Sequence, residues 1–299
     1  MIYSEFGKKV LHRQKALLLI LQQVGFTAST LQMMKWAFLL SHETSSHGGK
    51  TFYQFIPYRY GPYSFTLNQE TDSLIRNGFL EKEKNNSWNL TDLGKNFDVD
   101  LPKNVIKDIH HVATEYGDLS SQELLNLVYD KYSWFTINSD LPGRRKKKRP
   151  IAEKAIYTAG YEGKTVDEFL NLLMESGISR LIDIRFNPIS RRYGFHKSTL
   201  ARLCNFLGID YQHLPELGIP SFERNNLSSS AQYASLFNDY RSSLPSRENA
   251  LLNLTGLLNS KPSVLVCMEA DPKFCHRNVL AQHLETLIDL PIKHLGCPV

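Results

Sequence analysis

The sequence is poor in cysteine, and it lacks the short motifs that most directly identify an enzyme class. Its 299 residues include four cysteines, too few for a disulfide scaffold, and no two of them form the C-x-x-C pair of a closed zinc site. Neither the G-x-G-x-x-G pattern of dinucleotide-binding folds nor the phosphate-binding P-loop occurs. These absences favour a protein with reduced thiols, and they leave its cofactor unknown at this point.

Long apolar runs are also missing. No run reaches the ~18 residues that a membrane span needs. The apolar stretch at residues 17–21 is short and lies among polar residues, which does not fit a signal peptide. We therefore expect a cytoplasmic protein with no membrane partner.

The net charge of +5 is unevenly distributed along the chain. Residues 1–150 contain 20 lysines and arginines and 15 acidic residues, whereas residues 151–299 contain 15 of each. Six of the basic residues form one run: Arg144, Arg145, Lys146, Lys147, Lys148 and Arg149. Such a run binds phosphate backbones by releasing counterions, and it also serves as a solvated linker. The run therefore predicts either a DNA or RNA partner or a simple spacer.

The first half of the chain has the pattern of helices followed by a short hairpin. Apolar periodicity and capping residues predict helices over residues 8–24, 29–41 and 66–77. Two short strands then flank Asn85-Asn86, a pair suited to a hairpin turn. Three helices and a hairpin are the element order of a winged helix-turn-helix domain, which we place at residues 1–140.

Two segments of this half are distinctive, Tyr58-Arg-Tyr-Gly-Pro-Tyr63 and Leu90-Thr-Asp-Leu-Gly94. Together with the helix between them, they resemble winged-helix domains and, more loosely, the Panacea antitoxin family. In DNA-binding members of this fold the third helix enters the major groove. Here that helix carries Glu70 and Asp72 beside polar and basic residues, so it is not strongly basic. Nucleic-acid binding and protein docking therefore both stay open for this domain.

In the second half, strands and helices alternate. Short apolar runs predict the strands, at residues 155–159, 181–185, 211–214, 263–267 and 292–295. This alternation is typical of an α/β domain with a parallel sheet and right-handed crossovers. We place this domain at residues 154–299, after a basic linker at residues 141–153. Ligands of such sheets bind beyond the carboxyl ends of the strands, so the site is expected there.

The segment Cys267–Arg277 holds the densest group of reactive side chains. It follows the apolar run Ser263–Val266 and precedes a helical pattern. Asp271 is placed to cap that helix, and Pro272 suits its first position. A helix N-terminus offers unpaired N–H groups and the positive end of a dipole. The segment therefore suits the binding of an anion, such as a phosphate-bearing ligand, and a thiol of lowered pKa.

Polar residues at four strand ends are difficult to explain by packing alone. We predict acid, base or nucleophile roles for Asp183, Glu269, Cys267 and Cys275. We predict anion or substrate binding by Gly160, Tyr161, Arg185, Ser190, Arg191, His213, His276 and Arg277. The structural alternatives are an Asp183–Arg185 ion pair and a Cys267 that is only a small buried apolar residue. Adjacent Cys and His rarely bind one ion, so we predict no metal ligands, while a divalent metal cofactor stays open.

Five segments of the second half carry a further resemblance. They are Tyr157-Thr-Ala-Gly-Tyr-Glu-Gly163, Leu181-Ile-Asp-Ile-Arg-Phe-Asn-Pro188, Tyr211-Gln-His-Leu-Pro-Glu-Leu-Gly218, Cys267-Met-Glu-Ala-Asp-Pro272 and Cys275-His-Arg277. They resemble the domain of unknown function 488 family over residues 154–297. The resemblance implies an α/β domain whose polar motifs converge, and it implies no particular reaction.

Two functions fit these observations. The first is an enzyme, a hydrolase that acts on a nucleic acid or nucleotide. Cleavage of a phosphodiester bond and cleavage of an N-glycosidic bond both fit two carboxylates beside arginines. The second is a regulator, in which the winged helix binds DNA or protein and the α/β domain senses a small anion without breaking a bond.

Overall fold

The computed structural model of the protein describes residues 10–84, 87–224 and 229–297. The chain divides into two compact units, Met1–Lys148 and Arg149–Val299. The predicted hairpin turn at Asn85 and Asn86 lies outside the described residues. Within the described ranges, no helix combines the length and the apolar character that crossing a membrane requires.

The first unit is mostly helical. Its helices are α1 (His12–Gln23), α2 (Thr30–Glu43), α3 (Phe65–Arg76), α4 (Asp92–Lys95), α5 (Lys103–Tyr116) and α6 (Ser121–Lys131). Its strands are β1 (Thr27–Ser29), β2 (Ile56–Tyr58), β3 (Gly61–Tyr63), β4 (Leu80–Lys82) and β5 (Ser87–Leu90). An antiparallel sheet has the order β1-β5-β4, and β2 and β3 form a separate antiparallel pair. The winged-helix assignment of this unit stays a prediction.

The helix predicted over residues 29–41 is present as α2, and its start follows from its capping residues. Oγ of Ser29 accepts a hydrogen bond from the backbone N–H of Gln32 at 3.2 Å. The Gln32 side chain accepts one from the backbone N–H of Ser29 at 3.1 Å, which completes a capping box. Further along α2, the fully buried Trp36 donates from its indole nitrogen to the carbonyl oxygen of Tyr116 at 2.9 Å. The helix therefore enters the apolar core without an unpaired indole N–H.

Lys35 of α2 is buried in this core, and its Nζ donates to the carbonyl oxygen of Pro62 at 3.1 Å. Burial lowers the pKa of Lys35 to about 7. Between pH 7 and the ordinary lysine range, the unfolded chain therefore binds a proton that the folded chain does not. We expect the unfolding free energy to rise with pH in that window, by up to about 1.4 kcal/mol per pH unit. Urea denaturation of wild type and Lys35→Met from pH 6.5 to about 9.5 checks this. An unchanged slope in the variant would contradict the assignment to Lys35.

The second unit is an α/β domain, as the sequence predicts. Its strands are β6 (Ile156–Gly160), β7 (Arg180–Asp183), β8 (Asp210–His213), β9 (Ser263–Cys267) and β10 (Ile292–Leu295). Its helices are α7 (Val166–Glu175), α8 (Lys197–Phe206), α9 (Ser230–Ser243), α10 (Glu248–Ser260) and α11 (His276–Glu285). The five strands form one parallel sheet of order β10-β6-β9-β7-β8. All five residues of β6 and of β9 are buried, which explains their apolar sequences.

The strand register brings the predicted strand ends to one edge of the sheet. Gly160 pairs with Cys267, and Asp183 pairs with Val266. Asp271 caps a short 3₁₀ turn, Pro272–Phe274, by accepting from the backbone N–H of Lys273 at 2.8 Å. The prediction that Asp271 caps the long helix was wrong, because extended backbone at residue 275 separates the turn from α11.

Candidate active site

Cysteine, histidine and carboxylate side chains meet where β9 ends and α11 begins. Sγ of Cys267 lies 3.7 Å from Nδ1 of His276 and 3.1 Å from Oε2 of Glu269. Sγ of Cys275 lies 4.0 Å from the same nitrogen. Both thiols and the imidazole are buried. We call Cys267, Cys275 and His276 the Cys–His cluster; Glu269 lies against it.

The orientation of the His276 ring is fixed from two sides. Nε2 lies 3.1 Å from the carbonyl oxygen of Ile184, just beyond β7. Because a carbonyl can only accept, this nitrogen carries the hydrogen and donates it. The Tyr240 ring packs edge-on against the imidazole, with the ring centroids 5.4 Å apart. In the neutral ring, the lone pair of Nδ1 therefore points toward the two thiols.

Arg224 completes this group, although no sequence pattern points to it. It lies in the 3₁₀ turn Ser221–Arg224, far along the chain from β9. Its Nη1 donates to Oε1 of Glu269 at 3.0 Å, and its Nη2 lies 3.0 Å from Nδ1 of His276. A guanidinium thus faces the carboxylate and the imidazole at once. No local motif marks such a residue, because a short turn has no periodic pattern.

The pKa values of the two thiols move in opposite directions. The pKa of Cys267 is lowered well below the ordinary thiol value, chiefly by a hydrogen bond from Cys275 and then by His276 and Arg224. Burial raises the pKa of Cys275, and its hydrogen bond to Cys267 raises it further. Burial, followed by the negative charge of Cys267, raises the pKa of Glu269. Of the two thiols, Cys267 is therefore the one that more readily becomes a thiolate.

Asp183 and Arg185 form a buried ion pair beside the cluster. Oδ1 of Asp183 accepts from Nε of Arg185 at 2.8 Å, and Oδ2 accepts from Nη2 at 2.5 Å. The hydroxyl of Tyr211 also donates to Oδ2, at 2.7 Å. Nη1 of Arg185 donates to the Tyr161 hydroxyl and to the carbonyl oxygen of Phe195, both at 2.9 Å. Both carboxylate oxygens are thus occupied, so the geometry favours the structural alternative for Asp183.

A small cavity opens beside these groups. Its volume is about 110 Å³, below the roughly 300–1,000 Å³ of most ligand pockets. Its lining includes Tyr161, Arg185, Asn187, Arg224, Cys267 and His276. We call it the site cavity. It has room for one small chemical group only.

All residues of the Cys–His cluster fall in a segment that is similar to a known family. Residues 165–284 match the family model of DUF488, a domain of unknown function. No curated protein and no solved structure matches the chain. The DUF488 match runs from the residue that caps α7 into the last turn of α11. The DUF488 description names no reaction, so the chemistry follows from the geometry alone.

Two predicted binding residues, Gly160 and Arg277, position the loop that follows β9 and are not among the residues that line the site cavity. The guanidinium of Arg277, fully buried, donates to the carbonyl oxygens of Glu269 and Ala270. Arg277 thereby offsets its unfavourable place at a helix N-terminus with main-chain acceptors. At Gly160, an added Cβ would overlap the carbonyl oxygen of Glu269. Only glycine allows this close approach, so both residues position the backbone of Glu269.

Three further predicted binding residues lie away from the lining of the site cavity. His213 places Nε2 2.9 Å from the carbonyl oxygen of Arg185 and Nδ1 2.9 Å from Nζ of Lys197. Oγ of Ser190 accepts from the backbone N–H of Arg192 at 3.1 Å and so stabilises its own loop. Arg191 is exposed. Substrate contact by these three residues stays a prediction.

The basic run makes contacts within each unit. In the first unit, Nη2 of Arg144 donates to Asn126 at 2.7 Å, Nε of Arg145 to the carbonyl oxygen of Ser139 at 2.8 Å, and Nζ of Lys146 to Asp130 at 2.6 Å. Nζ of Lys147 lies over the Trp134 ring, 5.6 Å from its centroid. In the second unit, Arg149 donates to the carbonyl oxygens of Ile178 and Leu207. Most side chains of the basic run therefore contact residues of the folded units.

Proposed function

We propose that this protein is a hydrolase that acts on a nucleotide or a nucleic acid. One observation carries the proposal: a carboxylate, two thiols, an imidazole and a guanidinium form one connected set of contacts beside the site cavity. Such a concentration of reactive groups at the carboxyl edge of a parallel sheet is typical of a catalytic site. Packing alone does not explain this group of polar and reactive side chains.

Glu269 is the proton-transfer group of this proposal. It contacts two side chains that line the site cavity, Arg224 and Cys267. A water molecule attacks the phosphorus or the sugar carbon and gives its proton to the carboxylate. The bond from that atom to the leaving oxygen or nitrogen then breaks, and the leaving group takes the proton. Arg224 supplies the positive charge that a phosphate needs.

The first unit supplies the second part of the proposal, binding of the nucleic acid. It has a pocket of about 510 Å³, a volume in the usual range for ligands. Its lining includes Lys35, Tyr58, Arg59, Tyr60, Tyr63 and Lys82. Aromatic rings beside the cationic side chains of Arg59 and Lys82 suit a strand whose bases stack and whose phosphates need positive charge.

The direct test is an assay of bond cleavage by the full-length protein. Single- and double-stranded DNA, RNA and free nucleotides are incubated with it, with and without added divalent metal ions. Mass spectrometry of the products separates new phosphate ends from released bases. We expect one of the two product classes. Binding without cleavage of any substrate would overturn the hydrolase and favour the regulator, in which the same cavity only senses an anion.

The lysines of the basic run provide a test of nucleic-acid binding. We expect Lys146, Lys147 and Lys148 changed to Gln to flatten the plot of log affinity against log salt. Removing one lysine–phosphate interaction lowers the slope on duplex DNA by roughly 0.9. Fluorescence anisotropy at several salt concentrations measures it. The control changes three exposed lysines elsewhere in the unit, Lys50, Lys103 and Lys107. An equal slope in both triple variants would make the run a spacer only.

A further inference from the structure

The Cys–His cluster has the donor atoms of a metal site. We propose that Cys267, Cys275 and His276 bind one divalent ion of the zinc class, with the fourth coordination position toward the site cavity. Nδ1 and the two Sγ atoms all lie within 4.8 Å of one another. The binding of the ion does not depend on the proposed hydrolase function; only the role of the bound ion in catalysis does.

The two sulfur-to-nitrogen distances are close to those of tetrahedral coordination. Zinc binds thiolate sulfur at ~2.3 Å and imidazole nitrogen at ~2.0–2.1 Å, so a tetrahedral angle puts the two donor atoms roughly 3.6 Å apart. The two sulfur-to-nitrogen distances here are 3.7 Å for Cys267 and 4.0 Å for Cys275. A shift of a few tenths of an ångström in the Cys275 side chain brings its sulfur-to-nitrogen distance to that value. The three ligands come from a strand end and a helix start, so they are held by rigid elements.

The surroundings of His276 are those of a metal ligand. A metal-binding histidine commonly donates its second ring N–H to a carbonyl or carboxylate, which fixes the tautomer. Nε2 of His276 is placed to do so, 3.1 Å from the carbonyl oxygen of Ile184. The lone pair of Nδ1 is then directed at the two sulfurs. A buried histidine that served packing alone would have no reason to face two thiols.

Arg224 occupies the position beside Nδ1 of His276 that a bound ion would need. Its Nη2 lies 3.0 Å from Nδ1 of His276, where an ion would have to sit. Its other terminal nitrogen already contacts Glu269 at 3.0 Å. The side chain is partly exposed, so it can turn toward Glu269 and leave the lone pair to the ion. Two thiolates neutralise a divalent ion, which removes most of its repulsion of the guanidinium.

The chemistry of the three ligands favours a particular class of ion and indicates what that ion does. Two thiolates and one imidazole are soft ligands, which favour zinc over magnesium or calcium. Two cysteines and a histidine, with a nearby glutamate that is not a ligand, also activate water in the zinc-dependent nucleobase deaminases. Here Oε2 of Glu269 lies 3.1 Å from Sγ of Cys267. The ion therefore lowers the pKa of the attacking water, and Glu269 receives its proton.

Metal binding is tested without any substrate. The full-length protein is purified, its zinc content is measured, and the zinc is exchanged for cobalt. We expect one ion per chain, together with the near-ultraviolet absorption of cobalt bound to thiolate. Cys267→Ser and Cys275→Ser should each weaken zinc binding at least tenfold. Cys204→Ser is the control, because its thiol lies on α8 and is not part of the cluster.

Circular dichroism identifies any variant that fails to fold. A second measurement, on the wild-type protein, tests metal binding without depending on those variants. The wild-type protein is titrated with zinc against a coloured chelator. Tight one-to-one binding supports the proposal, and failure to compete with the chelator overturns it. Retained stoichiometric binding in well-folded Cys267→Ser and Cys275→Ser proteins overturns it as well. Zinc binding without turnover of any substrate leaves the metal site in place and rejects only the hydrolase.

Discussion

The change Glu269→Gln should lower kcat by about 10²–10⁴-fold, the usual contribution of a general acid or base. Glutamine keeps the shape of the side chain, and its amide oxygen can still accept from Nη1 of Arg224, as the carboxylate does at 3.0 Å. It cannot take a proton from water. Substrate affinity and zinc content should therefore stay close to those of wild type, while turnover falls.

Glu162→Gln is the matched control for this experiment. Oε2 of Glu162 accepts from the backbone N–H of Ala270 at 3.0 Å, so it contacts the same loop without contacting the Cys–His cluster. Steady-state kinetics on the substrate found in the cleavage assay compare the two variants. If both lose activity equally, the loop conformation matters and Glu269 has no special role in proton transfer.

Asp183→Asn should lower the unfolding free energy by about 3–5 kcal/mol, because it leaves the charge of Arg185 buried without its partner. Asp183 is fully buried, and Arg185 is nearly so. Tyr211→Phe removes one hydrogen bond to the same carboxylate, of 2.7 Å, and should cost roughly 1 kcal/mol. Urea denaturation measures both changes.

A double variant distinguishes a structural role of the Asp183–Arg185 ion pair from a catalytic role of Asp183. Replacing both partners, as Asp183→Asn with Arg185→Met, removes the isolated charge and should recover part of the stability. A single Asp183→Asn protein of wild-type stability that nevertheless loses kcat would contradict this account. Asp183 would then be the catalytic carboxylate that its position at a strand end suggested.

The parallel sheet was predictable because its central strands are buried on both faces. A strand such as Ser263–Cys267 must then be apolar along its whole length, and this pattern is visible in the sequence. The strand-end rule also placed Cys267 and Glu269 at one edge. The winged-helix assignment of the first unit depends on element order and loose motif resemblance, and it stays a prediction.

The remainder of the candidate site depends on contacts that the sequence does not encode locally. Spacing along the chain predicted no metal ligands, and it could not show that the 3₁₀ turn after Asp271 brings Cys275 within 4.8 Å of Cys267. Arg224 approaches from a turn without a periodic signal. For Asp183, the sequence favoured a catalytic role over an ion pair, and only the positions of Arg185 and Tyr211 favour the ion pair.

The hydrogen bonds of Arg277 leave the exposed side chains of the loop after β9 free to vary. Its guanidinium holds the loop after β9 by main-chain carbonyls, which every amino acid possesses. The side chains of Met268 and Phe274 on that loop are 45% and 48% exposed, and Met268 also lines the site cavity. These two positions can change in size and polarity while the backbone of the loop keeps its conformation. Relatives of this protein, or laboratory selections from it, can therefore change the surface of this loop without disturbing its backbone.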